Sequence, residues 1–147
     1  TETPVTPAIP LFYALDEALK MIREEGLEKR FKRHSTCARA FYRAVETLKL
    51  KPFPNEEVRS NTVIAVNMPA GVENTELRKI MKEQHKISVA GGQSKLKKSI
   101  IRIGCMGVIS ENETIQTINA LEDALNALRY PVQVGTGVKA ARQVFHS

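Results

Sequence analysis

The run Ile101-Arg102-Ile103-Gly104-Cys105-Met106-Gly107 holds the residue best suited to gripping a small anion. Side chains alternate along a strand, so Ile101 and Ile103 share one face while Arg102 and Gly104 share the other. With the isoleucines turned toward helices, Arg102 emerges on the opposite side. There its planar guanidinium offers a two-point grip on a carboxylate. Gly104 and Gly107 leave room for a ligand or a second backbone. On spacing alone, an exposed or salt-bridged strand arginine is the commoner reading. Gly91-Gly92-Gln93 predicts a turn near the same end of the sheet, without the spacing of a phosphate-binding loop. Lys95, Lys97 and Lys98 read as a solvated rim. His34 falls on an apolar helical stripe, where a histidine is more often a hydrogen-bonded core residue than a catalytic base. His85 and His146 have no acid or cysteine at ligand spacing, so no metal site is expected. No HExxH, no GxSxG and no nucleophile–base pair can be read. By themselves the residues give one candidate anion fork and no catalytic machinery.

The elements that must position this fork follow from periodicity. Pro4, Pro7 and Pro10 keep the opening residues extended. Leu11, Leu15, Ala18 and Ile22 then predict an amphipathic helix, which Gly26 ends or kinks. Leu27, Phe31, His34, Ala38, Phe41, Val45 and Leu48 lie on one stripe and predict a second long helix. Lys51–Asn61, with Pro52 and Pro54, reads as a loop or short edge strand. Thr62 to Val66 is a β-branched run and a buried strand. Asn74 is expected to cap a helix from Thr75 to about Lys86, with Leu77, Ile80 and Met81 turned inward. Ile87-Ser88-Val89 and Lys98 to Ile103 read as two further strands. Ser110 and Glu113 form a capping box for a helix carrying Ile115, Ile118, Leu121, Leu125 and Leu128. The expected architecture is an α/β (α+β) sandwich: a small, mostly antiparallel sheet of three or four strands, helices on one face, and two long N-terminal helices.

With 147 residues, 16.4 kDa and 42% hydrophobic content, the chain fills one core. Aromatics are only 5% and tryptophan is absent, so that core is aliphatic. No apolar run approaches the about 18 to 20 residues of a membrane span. Cys37 and Cys105 belong to no CxxC pair, which fits a reducing, cytoplasmic setting. The chain begins at Thr1 without methionine or a secretory signal, and is expected to be a piece of something longer. Its net charge of +6 sits mainly between Lys20 and Arg43. A basic helix there could track phosphates. Because no aromatics interleave to stack bases, a solvated helix face is the preferred reading, with nucleic-acid binding as the alternative.

Several segments in order carry a resemblance. Thr3-Pro4-Val5-Thr6-Pro7, Leu11 to Leu19, Glu25-Gly26-Leu27-Glu28, Arg33-His34, Ala90-Gly91-Gly92-Gln93 and Ile101 to Gly107 resemble the C-terminal part of class V, fold-type I pyridoxal-phosphate aminotransferases. The nearest branch is the alanine–glyoxylate, serine–glyoxylate and serine–pyruvate group, which includes proteins named soluble hydrogenase small subunit. That name alone raises a further alternative, a subunit of a redox complex.

The resemblance implies roles that periodicity does not. Arg102 matches the family arginine that holds the substrate α-carboxylate. Thr6 matches a threonine that reaches the cofactor phosphate of the neighbouring subunit of a homodimer. Gly91, Gly92 and Gln93 would lie near the active-site mouth. It also implies an aminotransferase C-terminal domain over 10–130, reached by an extended connector over 1–9, while the polar, glycine-bearing composition past Pro131 predicts a tail over 131–147 that is either mobile or a short helix. Cys105 stands where many relatives have histidine. The family lysine that forms the Schiff base with pyridoxal 5'-phosphate belongs to an N-terminal large domain and has no match here, nor do the residue stacked on the ring and the aspartate on its nitrogen. The implied parent moves an amino group from alanine or serine to the 2-oxo acids glyoxylate or pyruvate, and this segment alone is expected to be inactive.

Overall fold

The computed structural model describes residues 6–147, so Thr3, Pro4 and Val5 of the first matching segment lie outside the described residues. The chain divides into two compact units, one reaching to Arg33 and one running His34–Ser147.

In the first unit, α1 (Ile9–Glu25) starts with Pro10 in its opening turn, where a missing N–H costs nothing. Gly26 ends it at φ +84, a conformation that a side chain disfavours. Its N–H donates to the Ile22 carbonyl at 2.9 Å and its own carbonyl accepts from Arg30 N at 3.0 Å, so α2 (Leu27–Thr47) starts at once. Glu25 clamps this corner, accepting from Arg33 Nε at 2.5 Å, Arg33 Nη2 at 2.8 Å and Arg30 Nη1 at 3.1 Å. The Arg33 guanidinium, helped by Arg30, holds the Glu25 carboxyl down at about 2. No residue of α1 is buried. Leu27 and Phe31, at the start of α2, are exposed too.

The second unit has a packed core. From α2 come Ala38, Phe41 and Val45; from α3 (Asn74–His85), Leu77 and Met81; from α4 (Glu111–Ala127), Ile118, Leu121 and Leu125. The sheet contributes Ile64 and Val66 of β1 (Val63–Asn67) and Ile101 and Ile103 of β3 (Ile100–Gly104). With β2 (Ala90–Gly91) these strands form an antiparallel sheet in the order β1-β3-β2. Alternation sets its two sides: the core-facing residues are sealed, whereas Val63, Ala65, Asn67 and Arg102 are only partly covered. The architecture is the small antiparallel sheet and helical layer that the pattern predicts.

Three local expectations change. The cap of α3 is Glu73, and Asn74 is the first helical residue, buried and donating to the Ile100 carbonyl at 2.6 Å. The strand expected at Ile87–Val89 forms three residues later, at Ala90–Gly91, and Val89 belongs to the core just before it. The α2 stripe is buried only from His34 onward, with Leu27 and Phe31 exposed. The capping box at Ser110 forms as expected: its N–H donates to Glu113 Oε2 at 2.9 Å and its hydroxyl accepts from Asn112 N at 3.2 Å. The Ser110 hydroxyl also bonds the Glu113 carboxylate and lowers its pKa. Past Pro131 the chain folds as α5 (Thr136–Phe145), seated on α4 by a buried acid. Glu122 accepts from Gly135 N at 2.8 Å, Gly137 N at 2.6 Å and Val138 N at 3.3 Å. It caps the first turn of α5 from a neighbouring helix. A Cβ at Gly137 would sit 2.8 Å from Glu122 Oε1.

Candidate functional site

Arg102 is the central residue of the central strand, on the side turned away from the core. Register places Ala65 of β1 and Ala90 of β2 directly beside it. Cross-strand neighbours share a face, so the side chains opposite Arg102 in the two flanking strands are methyl groups. Its Nε donates to the Gly91 carbonyl at 2.9 Å, which fixes the plane of the fork. Among the described residues no carboxylate pairs with Arg102. The Nη1–Nη2 edge is the one that suits a carboxylate in a two-point grip, and the Nε anchor leaves that edge uncommitted.

Gly91 and Gly92 shape this edge of the sheet. Gly91 pairs with Ile101, and a Cβ on it would lie 3.2 Å from Arg78 Nη1 and 3.3 Å from Asn74 Oδ1. At Gly92 a Cβ would fall 2.0 Å from the Leu96 carbonyl oxygen, so only glycine fits. Gln93 is exposed and extended, and leads into a 3-10 turn at Ser94–Leu96. The glycine pair is thus a close backbone approach behind Arg102, with Lys95, Lys97 and Lys98 exposed beyond it.

His34 is buried and bonded through Nδ1 to the Cys105 carbonyl at 2.9 Å. A carbonyl only accepts, so the ring proton is on Nδ1 in this contact. The bond ties α2 to the chain just after Arg102, and the ring has a structural role. Cys37 and Cys105 are buried, and no group of His, Cys, Asp or Glu that could hold a metal occurs among the described residues. Thr6 belongs to the first unit, where it is exposed ahead of α1. In the basic stretch, Lys20 pairs with Asp16 while Arg30 and Arg33 pair with Glu25, so part of that charge is locally neutralised.

Arg78 is a residue to which the sequence pattern assigns no role, and it lies one helical turn from Asn74, expected only as a cap, on α3. Arg78 Nε donates to the Val89 carbonyl at 3.0 Å. Asn74 Nδ2 reaches β3, while its buried Oδ1 has no hydrogen-bond partner. Their i, i+4 spacing beside the inward Leu77 and Met81 is the only signal in the sequence that could have marked them.

A strand arginine anchored through Nε and paired with no acid among the described residues, on the side of a three-stranded sheet turned away from the core, marks a small helix–sheet module. A family model described as aminotransferase class-V matches residues 5–118, and the chain belongs to that family. An uncharacterized aminotransferase of Methanocaldococcus jannaschii is 40% identical over 143 residues, 97% of this chain and 37% of the relative. Serine–glyoxylate aminotransferase of Arabidopsis thaliana is 37% identical over 142 residues, 96% of this chain and 35% of the relative. The crystal structure of pyridoxamine–pyruvate aminotransferase from Mesorhizobium loti superposes with a TM-score of 0.95 at 28% identity, over 99% of this chain and 38% of that one. The chain therefore spans little more than a third of the relatives it matches.

Class V membership implies pyridoxal phosphate in full-length relatives. Every lysine of this chain is exposed, whereas an amine that holds an aldehyde cofactor is activated by desolvation or a neighbouring charge.

Proposed function

We propose that this chain is the C-terminal part of a pyridoxal-phosphate-dependent aminotransferase, and that Arg102 grips the α-carboxylate of its substrates. In this reading the amino group passes from a small amino acid, alanine or serine, to glyoxylate or pyruvate. When bound, the cofactor supplies the electron sink that such a transfer needs. The contribution of this chain is orientation: two N–H groups on one rigid plane hold the carboxylate, so the bonds at the α-carbon present one fixed direction. The observation that carries the proposal is the Arg102 fork, fixed through Nε by Gly91 and unpaired with any acid among the described residues. Gly91, Gly92 and Gln93 then lie at the site's mouth, and Thr6 contacts the cofactor phosphate of the neighbouring subunit in a homodimer. Residues 1–9 connect from a large domain, 10–130 form the C-terminal domain, and 131–147 append α5.

The uncovered face of α1 supports a longer parent. Ile9, Leu11, Phe12, Tyr13, Leu15, Leu19 and Met21 are 43% to 73% exposed and occupy several sides of the helix. A helix apolar on several sides is normally enveloped by more polypeptide than one partner face provides. The occupant in this reading is the large domain that also carries the cofactor lysine. The segment alone is then inactive, and the whole enzyme is cytoplasmic.

Replacing Arg102 by alanine in the full-length enzyme tests the grip. Losing charge-assisted hydrogen bonds worth about 1.5–3 kcal/mol raises KM for the amino donor by about 10- to 100-fold. An unchanged KM overturns the assignment.

A further inference from the structure

We propose that Arg78 is a positioning residue for Arg102: it holds β2 where the Gly91 carbonyl sets the plane of the Arg102 guanidinium. The inference rests on the reading of Arg102 as the carboxylate grip and extends it to a second residue on another element. β2 is two residues long, lies at the sheet edge, and meets β3 only through Ala90 opposite Arg102 and Gly91 opposite Ile101. A pairing that short is not held by its own ladder. Yet its Gly91 carbonyl is the one hydrogen-bond acceptor of the Arg102 guanidinium among the described residues.

What steadies this strand comes from α3. Arg78 Nε binds the Val89 carbonyl at 3.0 Å, one residue before β2 begins. Its Nη1 lies against Gly91, 3.2 Å from the place a Cβ would take, and the missing side chain is what admits it. On the far side Gly92 N donates to the Ile100 carbonyl at 3.0 Å. One turn earlier on α3, Asn74 holds that same Ile100 carbonyl at 2.6 Å. One face of α3 thus grips β3 through Asn74 and β2 through Arg78. The Gly91 residue is contacted by both guanidiniums, Arg78 beside its Cα and Arg102 on its oxygen. Arg78 is partly buried and has no acid partner among the described residues, so its ordered role is to the β2 backbone.

The test uses the full-length enzyme carrying this chain, with Arg78→Met, Arg78→Lys, Arg102→Ala and the double variant Arg78→Met/Arg102→Ala. KM and kcat for the amino donor, the inhibition constant of acetate as an unreactive carboxylate, and Tm are measured for each. Arg78→Met is expected to raise KM and the acetate constant together by about tenfold, with kcat lowered less. Arg78→Lys keeps one donor for Val89 and falls between Arg78→Met and the parent. In the double variant the Arg78 change adds nothing to the Arg102→Ala loss. Should Arg78→Met not fold, Gly91→Ala displaces the same guanidinium and is expected to give the same paired rise. A fall in Tm with both constants unchanged overturns the proposal, as do losses that simply add in the double variant. If Arg102→Ala leaves both constants unchanged, the carboxylate reading itself falls, a result separable from an inert Arg78 beside a sensitive Arg102.

Discussion

The two units of the chain treat apolar side chains in opposite ways. In the unit running His34–Ser147, Ala38, Phe41 and Val45 are at most 1% exposed, and β1 and β3 press Ile64, Ile101 and Ile103 into the same core. In the unit reaching to Arg33, Phe12, Tyr13, Leu27 and Phe31 are all at least 56% exposed. One sequence therefore contains a core that is finished and an apolar surface that is not. A finished core sets stability in the chain as it stands; an unfinished surface sets what the chain needs next to it.

Core truncation should sharpen the contrast most. Phe41→Ala is expected to cost about 3–5 kcal/mol in urea unfolding, since the cavity has rigid walls. Gly92→Ala comes next, at about 1–3 kcal/mol, because its methyl must move the Leu96 carbonyl. A cost near zero would mean that this turn relaxes freely. Ser110→Ala should lose about 1 kcal/mol by removing the cap of α4. Leu15→Ser, by contrast, should change the stability of the 147-residue chain by no more than about 0.5 kcal/mol. A Leu15→Ser loss approaching that of Phe41→Ala would break the comparison outright, by showing α1 already covered. The smallest effect concerns the Glu25 corner. A carboxyl held down at about 2 contributes stability above its ordinary value of 4.5, and that contribution is lost as pH falls toward about 2. Titration of the Glu25 carboxyl by NMR checks this, and a midpoint near 4.5 would remove Arg33 and Arg30 as its partners.

How far the sequence could be read follows the same divide. The stripe of α2 was legible as a stripe over its whole length, because periodicity reports which residues share a face. It does not report whether anything covers that face, so Leu27 and Phe31 looked no different from Phe41 and Val45. β1 and β3 stood out because β-branched runs at a core face leave few alternatives, and the capping box at Ser110 is a local pattern with local consequences. Asn74 was misassigned for the opposite reason. An asparagine before a helical run looks like a cap, while its buried bond to Ile100 depends on a strand 26 residues away. Arg102 was visible as a strand arginine, but its anchor on Gly91 and the hold of Arg78 on β2 are contacts between distant segments that no local spacing encodes.

The acid at Glu122 bears on how this polypeptide tolerates shortening. Its oxygens are satisfied by three main-chain N–H groups, of Gly135 just before the last helix and of Gly137 and Val138 in its first turn. That makes the backbone of residues 135–138 obligatory, while Ala140 and Ala141, both buried, bind the rest of α5 to its place by packing. A version trimmed back to Pro131 would lose the three donors to that carboxylate and uncover the apolar face of α4 against which α5 packs. Expression of such a trimmed form should consequently yield aggregate, whatever becomes of Arg102.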